Sequence, residues 1–202
     1  KIYEKSFIDN WELPCLSDYN DKTTLTYGDF ARNIARMHLL FEHCGIKQGD
    51  KIALIGKNTP SWVTVFIATI TYGAVIVPIL QDFNPNDAQH IINHSESKLL
   101  FASKSIWDTI DFDQLHNIKA ALSLDDRKLL AEKPGEEVGK CLYGLSRAFN
   151  RKYKSGFYRN DIRYPDIPGD TLMEINYTSG TTGFSKGVMI TGNNICGNLV
   201  YG

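Results

Sequence analysis

The sequence lacks most features of a secreted, metal-stabilised or nucleic-acid-binding protein. Its 202 residues include four cysteines (Cys15, Cys44, Cys141 and Cys196), which lie far apart and form no C-x-x-C pair. This spacing argues against a zinc site or a disulfide framework and favours a reducing compartment. The net charge is −1, so no overall field attracts nucleic acid. Residues 1–11 lack the apolar core of a signal peptide, and we expect a cytoplasmic protein that binds no nucleic acid.

Long uncharged runs are also scarce. Residues 63–80 form one such run, just long enough to be considered as a membrane span. Gly73 and Pro78 interrupt it, and three threonines add polar groups. A buried helix followed by a buried strand suits this pattern better. The whole composition, 43% hydrophobic and 22% charged, is typical of a globular protein.

Three helices are predicted from capping signals and apolar spacing. Thr26 and Asp29 match a capping box at the start of the first helix, and Gly45 follows its end. Pro60 and Pro85 occupy the first helical position of the other two. The apolar face of the first helix has spacings of four, three and four residues, at Phe30, Ile34, Met37 and Phe41.

Short apolar segments between the helices predict buried strands at residues 51–55, 74–80, 98–102 and 118–124. Continuously apolar strands separated by helices indicate a parallel sheet covered on both faces. Right-handed crossovers then give a doubly wound α/β layer. In such sheets, ligands bind at the carboxyl ends of the strands.

Residues 125–171 depart from this alternation and are predicted to be an insertion, with a helix over 138–153. Residues 147–164 carry six Lys and Arg against one Asp. Aromatic residues are interleaved with them: Phe149, Tyr153, Phe157, Tyr158 and Tyr164. RNA, an acidic lipid or a phosphorylated substrate could bind such a surface. We favour a solvent-exposed helix and loop with packed aromatics. The acidic pairs Asp125-Asp126 and Glu136-Glu137 are typical of solvated faces.

Residues 177–187, Y-T-S-G-T-T-G-F-S-K-G, carry the strongest functional signal. Glycine lets backbone N–H groups face a ligand, while hydroxyls and a lysine supply further donors and charge. This composition suits a chain of phosphates, and a Ser/Thr/Gly-rich surface turn is the alternative. Strands are predicted at 172–177 and 187–191 on either side of the loop, followed by a short helix from about Thr191.

The loop does not match the best-known nucleotide-binding patterns. In the Walker pattern G-x-x-x-x-G-K-S/T counted from Gly180, Ser185 replaces the second glycine, and Gly187 replaces the magnesium-binding hydroxyl. A strand is predicted after Lys186, where a Walker loop opens a helix whose N-terminus helps to bind phosphate. The Rossmann pattern G-x-G-x-x-G is also missing from the loop.

The loop resembles the phosphate-binding signature of the adenylate-forming superfamily of acyl-CoA synthetases, adenylation domains and luciferases. That signature is close to Y-T-S-G-T-T-G-x-P-K-G-V-M, and the sequence departs from it at Ser185, where proline is usual. Residues 25–30, 49–58 and 72–78 resemble further core motifs. Residues 45–82, with G-V-M-I-T after the lysine, are most similar to bacterial long-chain fatty acyl-CoA synthetases.

This resemblance implies part of a large N-terminal AMP-binding domain with a doubly wound, mostly parallel sheet. Its parts would be an α/β layer (1–124), the basic-aromatic insertion (125–171) and a strand–loop–strand–helix unit (172–202), with the C-terminal domain absent. The parent enzyme would use ATP and Mg²⁺ to convert a carboxylic acid, here a long-chain fatty acid, into an acyl-adenylate. It would then transfer the acyl group to coenzyme A.

The resemblance also assigns roles within the loop. ATP phosphates would be bound by Thr178, Ser179, Gly180, Thr181, Thr182, Gly183 and Lys186. The Thr178 hydroxyl is the candidate for association with Mg²⁺, with no direct metal ligand assigned, and Tyr177 is expected to be a packing anchor. Ser185 should loosen the loop slightly. The catalytic residues and the adenine- and ribose-binding motifs are expected downstream of residue 202. We therefore expect an isolated chain that is inactive and self-associates, and a parent enzyme that contacts the inner membrane face peripherally.

Other interpretations stay open. His90 and His94 have metal-ligand spacing on a helix, but no third ligand is apparent, and a packing pair is favoured. Cys44 and Cys196 are expected to be small core residues. A non-catalytic nucleotide-binding or interaction module would also keep the loop, and an aryl, amino or short-chain acid could replace the fatty acid.

Overall fold

The computed structural model describes residues 2–20, 22–178 and 186–201. Its helices are α1 (Ile2–Asp9), α2 (Tyr27–His43), α3 (Pro60–Tyr72), α4 (Pro85–His94), α5 (Lys104–Trp107), α6 (Val138–Lys152) and α7 (Gly192–Tyr201). Its strands are β1 (Pro14–Ser17), β2 (Thr24–Thr26), β3 (Lys51–Ile55), β4 (Val75–Ile79), β5 (Leu99–Ala102), β6 (Ala120–Ser123), β7 (Leu129–Glu132), β8 (Leu172–Thr178) and β9 (Lys186–Thr191). Short 3-10 turns cover Phe112–Gln114 and Arg159–Asp161.

A mostly parallel sheet forms the centre of the fold, as predicted. Its seven strands follow the order β7-β6-β5-β3-β4-β8-β9. The five inner strands run parallel, with Ile52 of β3 paired to Ile76 of β4 and to Leu99 of β5. Strands β7 and β9 pair antiparallel at the two edges. A separate antiparallel pair joins β1 to β2.

The predicted capping signals start the helices where expected. Thr26 caps α2, with both hydrogen bonds of the capping box to Asp29 present. Gly45, just beyond the helix, has φ +68, a backbone conformation that favours glycine. Thr59 and Asn84 cap α3 and α4, each with proline following at the first helical position. The predicted apolar face of α2 is buried in full.

Side chains alternate between two cores on opposite faces of the sheet. Ile52 and Leu54 of β3 point into a core shared with α2 and α3. Ala53 and Ile55 point into the opposite core, which α4 covers. The uncharged run 63–80 divides between α3 and β4, as expected for a buried helix and strand. No helix in the described ranges is long and apolar enough to span a membrane.

Residues 125–171 are joined closely to the same sheet. Strand β7, which the sequence analysis missed, extends it by pairing with β6. Helix α6 begins at Val138 as predicted and packs with the α2 core through Phe149, while Phe157 is buried in the same core. Tyr158 stays 58% exposed. Most of these aromatics are therefore turned inward, which is the packing arrangement that the sequence analysis favoured.

The acidic pairs in this segment have separate partners. Asp126 pairs with Lys128, and Glu136 with Lys119. Asp125 accepts a hydrogen bond from the backbone N–H of Lys104. These contacts join the acidic side chains to nearby lysines and a backbone N–H, and they stabilise the local structure. Elsewhere, Cys44 is buried as expected, but Cys196 on α7 is only partly buried, because it lies beside an open cavity.

Candidate functional site

The signature loop connects the two strands of a β-hairpin at the edge of the sheet. Strand β8 enters it and β9 leaves it, as the sequence predicted, and Thr178 pairs with Lys186 across the loop's base. Both residues are exposed. The other predicted phosphate-binding residues (Ser179, Gly180, Thr181, Thr182 and Gly183) lie outside the described residues, as does Ser185.

The hairpin places the two ends of the loop, Thr178 and Lys186, at the carboxyl ends of the parallel strands. Strand β8 runs parallel to β4, with Ile76 paired to Glu174, so Thr178 lies at the same edge as the turns after β3 and β4. A cleft of about 420 Å³ opens there. Its wall includes Lys57, Gln81 and Asn176. The position is the one at which doubly wound sheets bind ligands.

The cleft is amphipathic, with polar residues of β8 facing aromatic residues of α3. Glu174 and Asn176 point to the face of the sheet that α3 covers, since Glu174 pairs with the inward-facing Ile76. Trp62 and Phe66 of α3 stack with ring centroids 5.3 Å apart and line the same cleft. Burial raises the pKa of the Glu174 carboxyl. The carboxyl is therefore less acidic than an exposed one.

The opposite face of the hairpin is anchored in the core by Tyr177. This side chain is only 3% exposed, and its phenol lies 2.7 Å from Nδ1 of His94 on α4. The two rings meet edge to face with centroids 5.8 Å apart. Burial raises the pKa of the Tyr177 phenol. Tyr177 is an anchor between β8 and α4, in keeping with the packing role expected from the sequence.

Gly187 faces Tyr177 across the hairpin and leaves room for its ring. A Cβ at Gly187 would lie 2.8 Å from Cγ2 of Ile175 and 3.2 Å from Cζ of Tyr177. Any larger residue there would displace the partly buried Ile175 or the buried Tyr177. The role of this glycine was not predicted from the sequence. The predicted hairpin could have indicated it, since a glycine in a strand often marks a close approach.

Of the histidine pair on α4, His94 makes this anchor with Tyr177. His90 and His94 have ring centroids 5.7 Å apart, and Nδ1 of His94 is occupied by the Tyr177 phenol. Among the described residues, no group of three or more metal-ligating side chains is close enough to hold an ion. The sequence could not reveal the His94–Tyr177 contact, because the two residues are 83 positions apart.

Comparison with known proteins identifies the loop's context. The family model described as AMP-binding enzyme matches residues 8–202. The 4-hydroxybutyrate–CoA ligase 2 of Metallosphaera sedula is 28% identical over 181 residues, which are 85% of this chain and 31% of that protein. The long-chain-fatty-acid–CoA ligase 1 of Cavia porcellus is 30% identical over 155 residues, which are 71% of this chain and 21% of that protein.

Solved structures share the fold. The anthranilate CoA ligase AuaEII, crystallised with anthranoyl-AMP, superposes with a TM-score of 0.72 at 18% sequence identity. The alignment covers 95% of this chain and 34% of that one. The chain thus spans about a third or less of the length of these proteins.

Proposed function

Because the chain belongs to the AMP-binding enzyme family, we propose that it is the phosphate-binding part of an ATP-dependent acid–CoA ligase. The observation that carries this proposal is the family match over residues 8–202, which includes the hairpin and its signature loop. The position of Thr178 and Lys186 at the carboxyl edge of the sheet supports it.

The proposed reaction has two steps. A carboxylate oxygen attacks the α-phosphorus of ATP, the bond from that phosphorus to the bridging oxygen breaks, and pyrophosphate leaves with the electron pair. The sulfur of coenzyme A then attacks the acyl carbon of the adenylate as its thiol proton is released to solvent, and AMP leaves with the electrons of the broken C–O bond. Both steps fit the family's acyl-CoA ligases.

Within the first step, the chain's own residues would bind and neutralise the departing phosphates. Lys186 and Thr178, at opposite ends of the loop, would direct a positive charge and a hydroxyl toward the β- and γ-phosphates. The glycines of the loop, Gly180 and Gly183, would allow backbone N–H groups to approach closely, and Ser179, Thr181 and Thr182 would add hydroxyl donors. Donors fixed where charge develops stabilise the transition state more than the bound substrate.

The donors present also suit Mg²⁺. Mg²⁺ takes oxygen ligands and usually keeps several waters. The exposed hydroxyl of Thr178, at the end of β8, can hydrogen-bond to such waters. When bound, the ion would add positive charge beside the phosphates.

We further propose a long-chain fatty acid as the substrate, to be tested first. The similarity of residues 45–82 to long-chain acyl-CoA synthetases supports this choice, as does the name of the Cavia porcellus relative. Other relatives are named 4-hydroxybutyrate–CoA ligase and, in Amycolatopsis sp, feruloyl-CoA synthase, so short-chain and aryl acids are the alternatives. Two further alternatives are an enzyme that acts on an amino acid and a non-catalytic nucleotide-binding module, and experiment has to distinguish all of these.

Three further expectations belong to this proposal. The 202-residue chain alone should lack ligase activity, and it should self-associate, since Val188 and Met189 on the edge strand β9 are 50% and 72% exposed. The full-length protein should be cytoplasmic, with peripheral contact at the inner membrane face.

The decisive experiment is ATP–pyrophosphate exchange by the full-length protein with a panel of fatty, short-chain, aryl and amino acids. Lys186→Ala should lower the exchange rate about 100- to 1,000-fold, the usual loss when one preorganised donor to transition-state charge is removed. Lys154→Ala, at an exposed lysine in the turn after α6, is the matched control and should leave the rate unchanged.

The outcomes separate the candidates. ATP–pyrophosphate exchange that requires one class of acid would identify that class as the substrate. ATP binding without exchange for any acid would support the non-catalytic module and contradict the ligase. Equal rates for Lys186→Ala and wild type would remove Lys186 from the proposed site.

A further inference from the structure

Resting on the proposed function and extending it, we infer that His94 is a positioning residue for the phosphate loop. It acts through the Tyr177 phenol, which it holds against α4. The stem of the loop, defined as residues 177–178 and 186–187, is thereby fixed to a helix on the body of the domain.

The contact that carries this inference is short and joins a buried tyrosine to an exposed histidine. The Tyr177 oxygen and His94 Nδ1 are 2.7 Å apart, and the tyrosine is 3% exposed. The ring of Tyr177 meets that of His94 at an interplanar angle of 89°. Because the bond is part-buried, the expected cost of losing it is the net value of one hydrogen bond.

The same tyrosine also fixes the second strand of the stem. Tyr177 pairs with Gly187, and its ring lies so close to this glycine that an added Cβ would be 3.2 Å from Cζ. The ring therefore lies between β9 and α4. Strand β9 is at the edge of the sheet and pairs only with β8 within the described chain, so this contact supplies support that the sheet does not.

The stem's geometry reaches the proposed phosphate ligands directly. Thr178 follows Tyr177, Lys186 precedes Gly187, and the two pair across the base of the loop. A rotation of the stem would move both groups together. Displacements of about 1 Å in a positioned group can cost up to about 100-fold in rate, so a modest loosening should be measurable.

The bond forms with the tyrosine in its neutral state. Burial raises the pKa of the phenol, which stays protonated at neutral pH. It donates to Nδ1 of a neutral imidazole or accepts from a protonated Nδ1, depending on the tautomer of His94. Removal of either partner should therefore weaken positioning by about two- to tenfold, the usual net value of one hydrogen bond.

The test compares Tyr177→Phe and His94→Leu in the full-length protein by ATP–pyrophosphate exchange. Each variant should lower kcat and raise KM for ATP and for pyrophosphate, so that kcat/KM for these two substrates falls about two- to tenfold, with KM for the acid unchanged. The double variant should be no worse than either single one, since both remove the same bond. His94→Gln, which offers an amide at the same position, should recover part of the loss.

Controls separate positioning from simple destabilisation. Tyr143→Phe, at a tyrosine 90% exposed on α6, and His116→Leu, at an exposed histidine, should match wild type. Loss of folded enzyme would instead lower kcat and leave every KM unchanged, and that result would overturn the inference. Additive losses in the double variant would overturn it as well.

A second measurement does not depend on the proposed function. Amide hydrogen exchange of residues 186–191 should be faster in Tyr177→Phe and in His94→Leu than in wild type, with α2 unaffected. Unchanged protection of β9 would refute the inference even if the protein proved to be no ligase. Wild type could lack ATP–pyrophosphate exchange activity while both variants show faster amide hydrogen exchange in β9. That result would reject the ligase proposal and leave the anchoring role supported.

Discussion

Replacing Gly187 by alanine should destabilise the β8–β9 hairpin, although a glycine-to-alanine change usually stabilises a regular element. The added Cβ would lie 2.8 Å from Cγ2 of Ile175 and 3.2 Å from Cζ of Tyr177. The Ile175 methyl can shift, but the Tyr177 ring is held by its bond to His94. Part of the strain must therefore be taken up by the backbone of the hairpin.

Two opposing effects determine how much stability Gly187→Ala loses. Overpacking a filled site costs about 1–3 kcal/mol. Alanine offsets about 0.5–1 kcal/mol of this, because it restricts the unfolded chain more than glycine does. The net loss in the free energy of unfolding should be about 0–2.5 kcal/mol, and each kcal/mol should lower Tm by about 2–4 °C in a chain of this size.

Urea and thermal unfolding of wild type and variants would measure this loss. Gly144→Ala is the matched control, because its Cβ would meet nothing within 4 Å and it lies inside α6. That variant should gain about 0.5–1 kcal/mol. Ile175→Leu removes the clashing methyl, so the double variant with Gly187→Ala should recover part of the loss. A Gly187→Ala protein as stable as Gly144→Ala would refute the steric argument.

Two further predictions concern the body of the domain. Burial lowers the pKa of His38, which lies 3.0 Å from the Ala68 carbonyl oxygen, from 6.5 to about 4. The folded state thus favours the neutral ring. The resulting contribution of His38 to the free energy of unfolding is complete above pH 6.5, and roughly 3 kcal/mol of it is lost as the pH falls toward 4. Unfolding titrations of His38→Gln should show a flatter pH dependence than those of the exposed control His116→Gln, and equal slopes would contradict the assignment. Thr26→Ala should lower the free energy of unfolding by about 1 kcal/mol, because it removes the cap of α2. Ser103→Ala is the control and should change it little, because Ser103 makes no side-chain capping bond. Equal losses in urea unfolding would argue against the cap.

Capping residues and apolar runs, which are local in the sequence, were enough to predict the helices and strands in which they occur. The capping box at Thr26 and the prolines after Thr59 and Asn84 act within one helical turn, so sequence spacing is enough to locate them. The apolar runs of β3 to β6 were recognisable because inner parallel strands are buried on both faces. Strand β7 was missed, since its four residues are only partly buried at the edge and carry no comparable run.

The sequence by itself determined the family, the class of fold and the hairpin around the loop, because these depend on local pattern and on a long, specific motif. Tertiary structure alone decided that β7 extends the sheet, that the α2 core is where the packed aromatics of the basic-aromatic segment lie, and that His94 meets Tyr177. These contacts join residues far apart in the chain. Their formation depends on strand order and on the packing of whole elements, which no local spacing encodes.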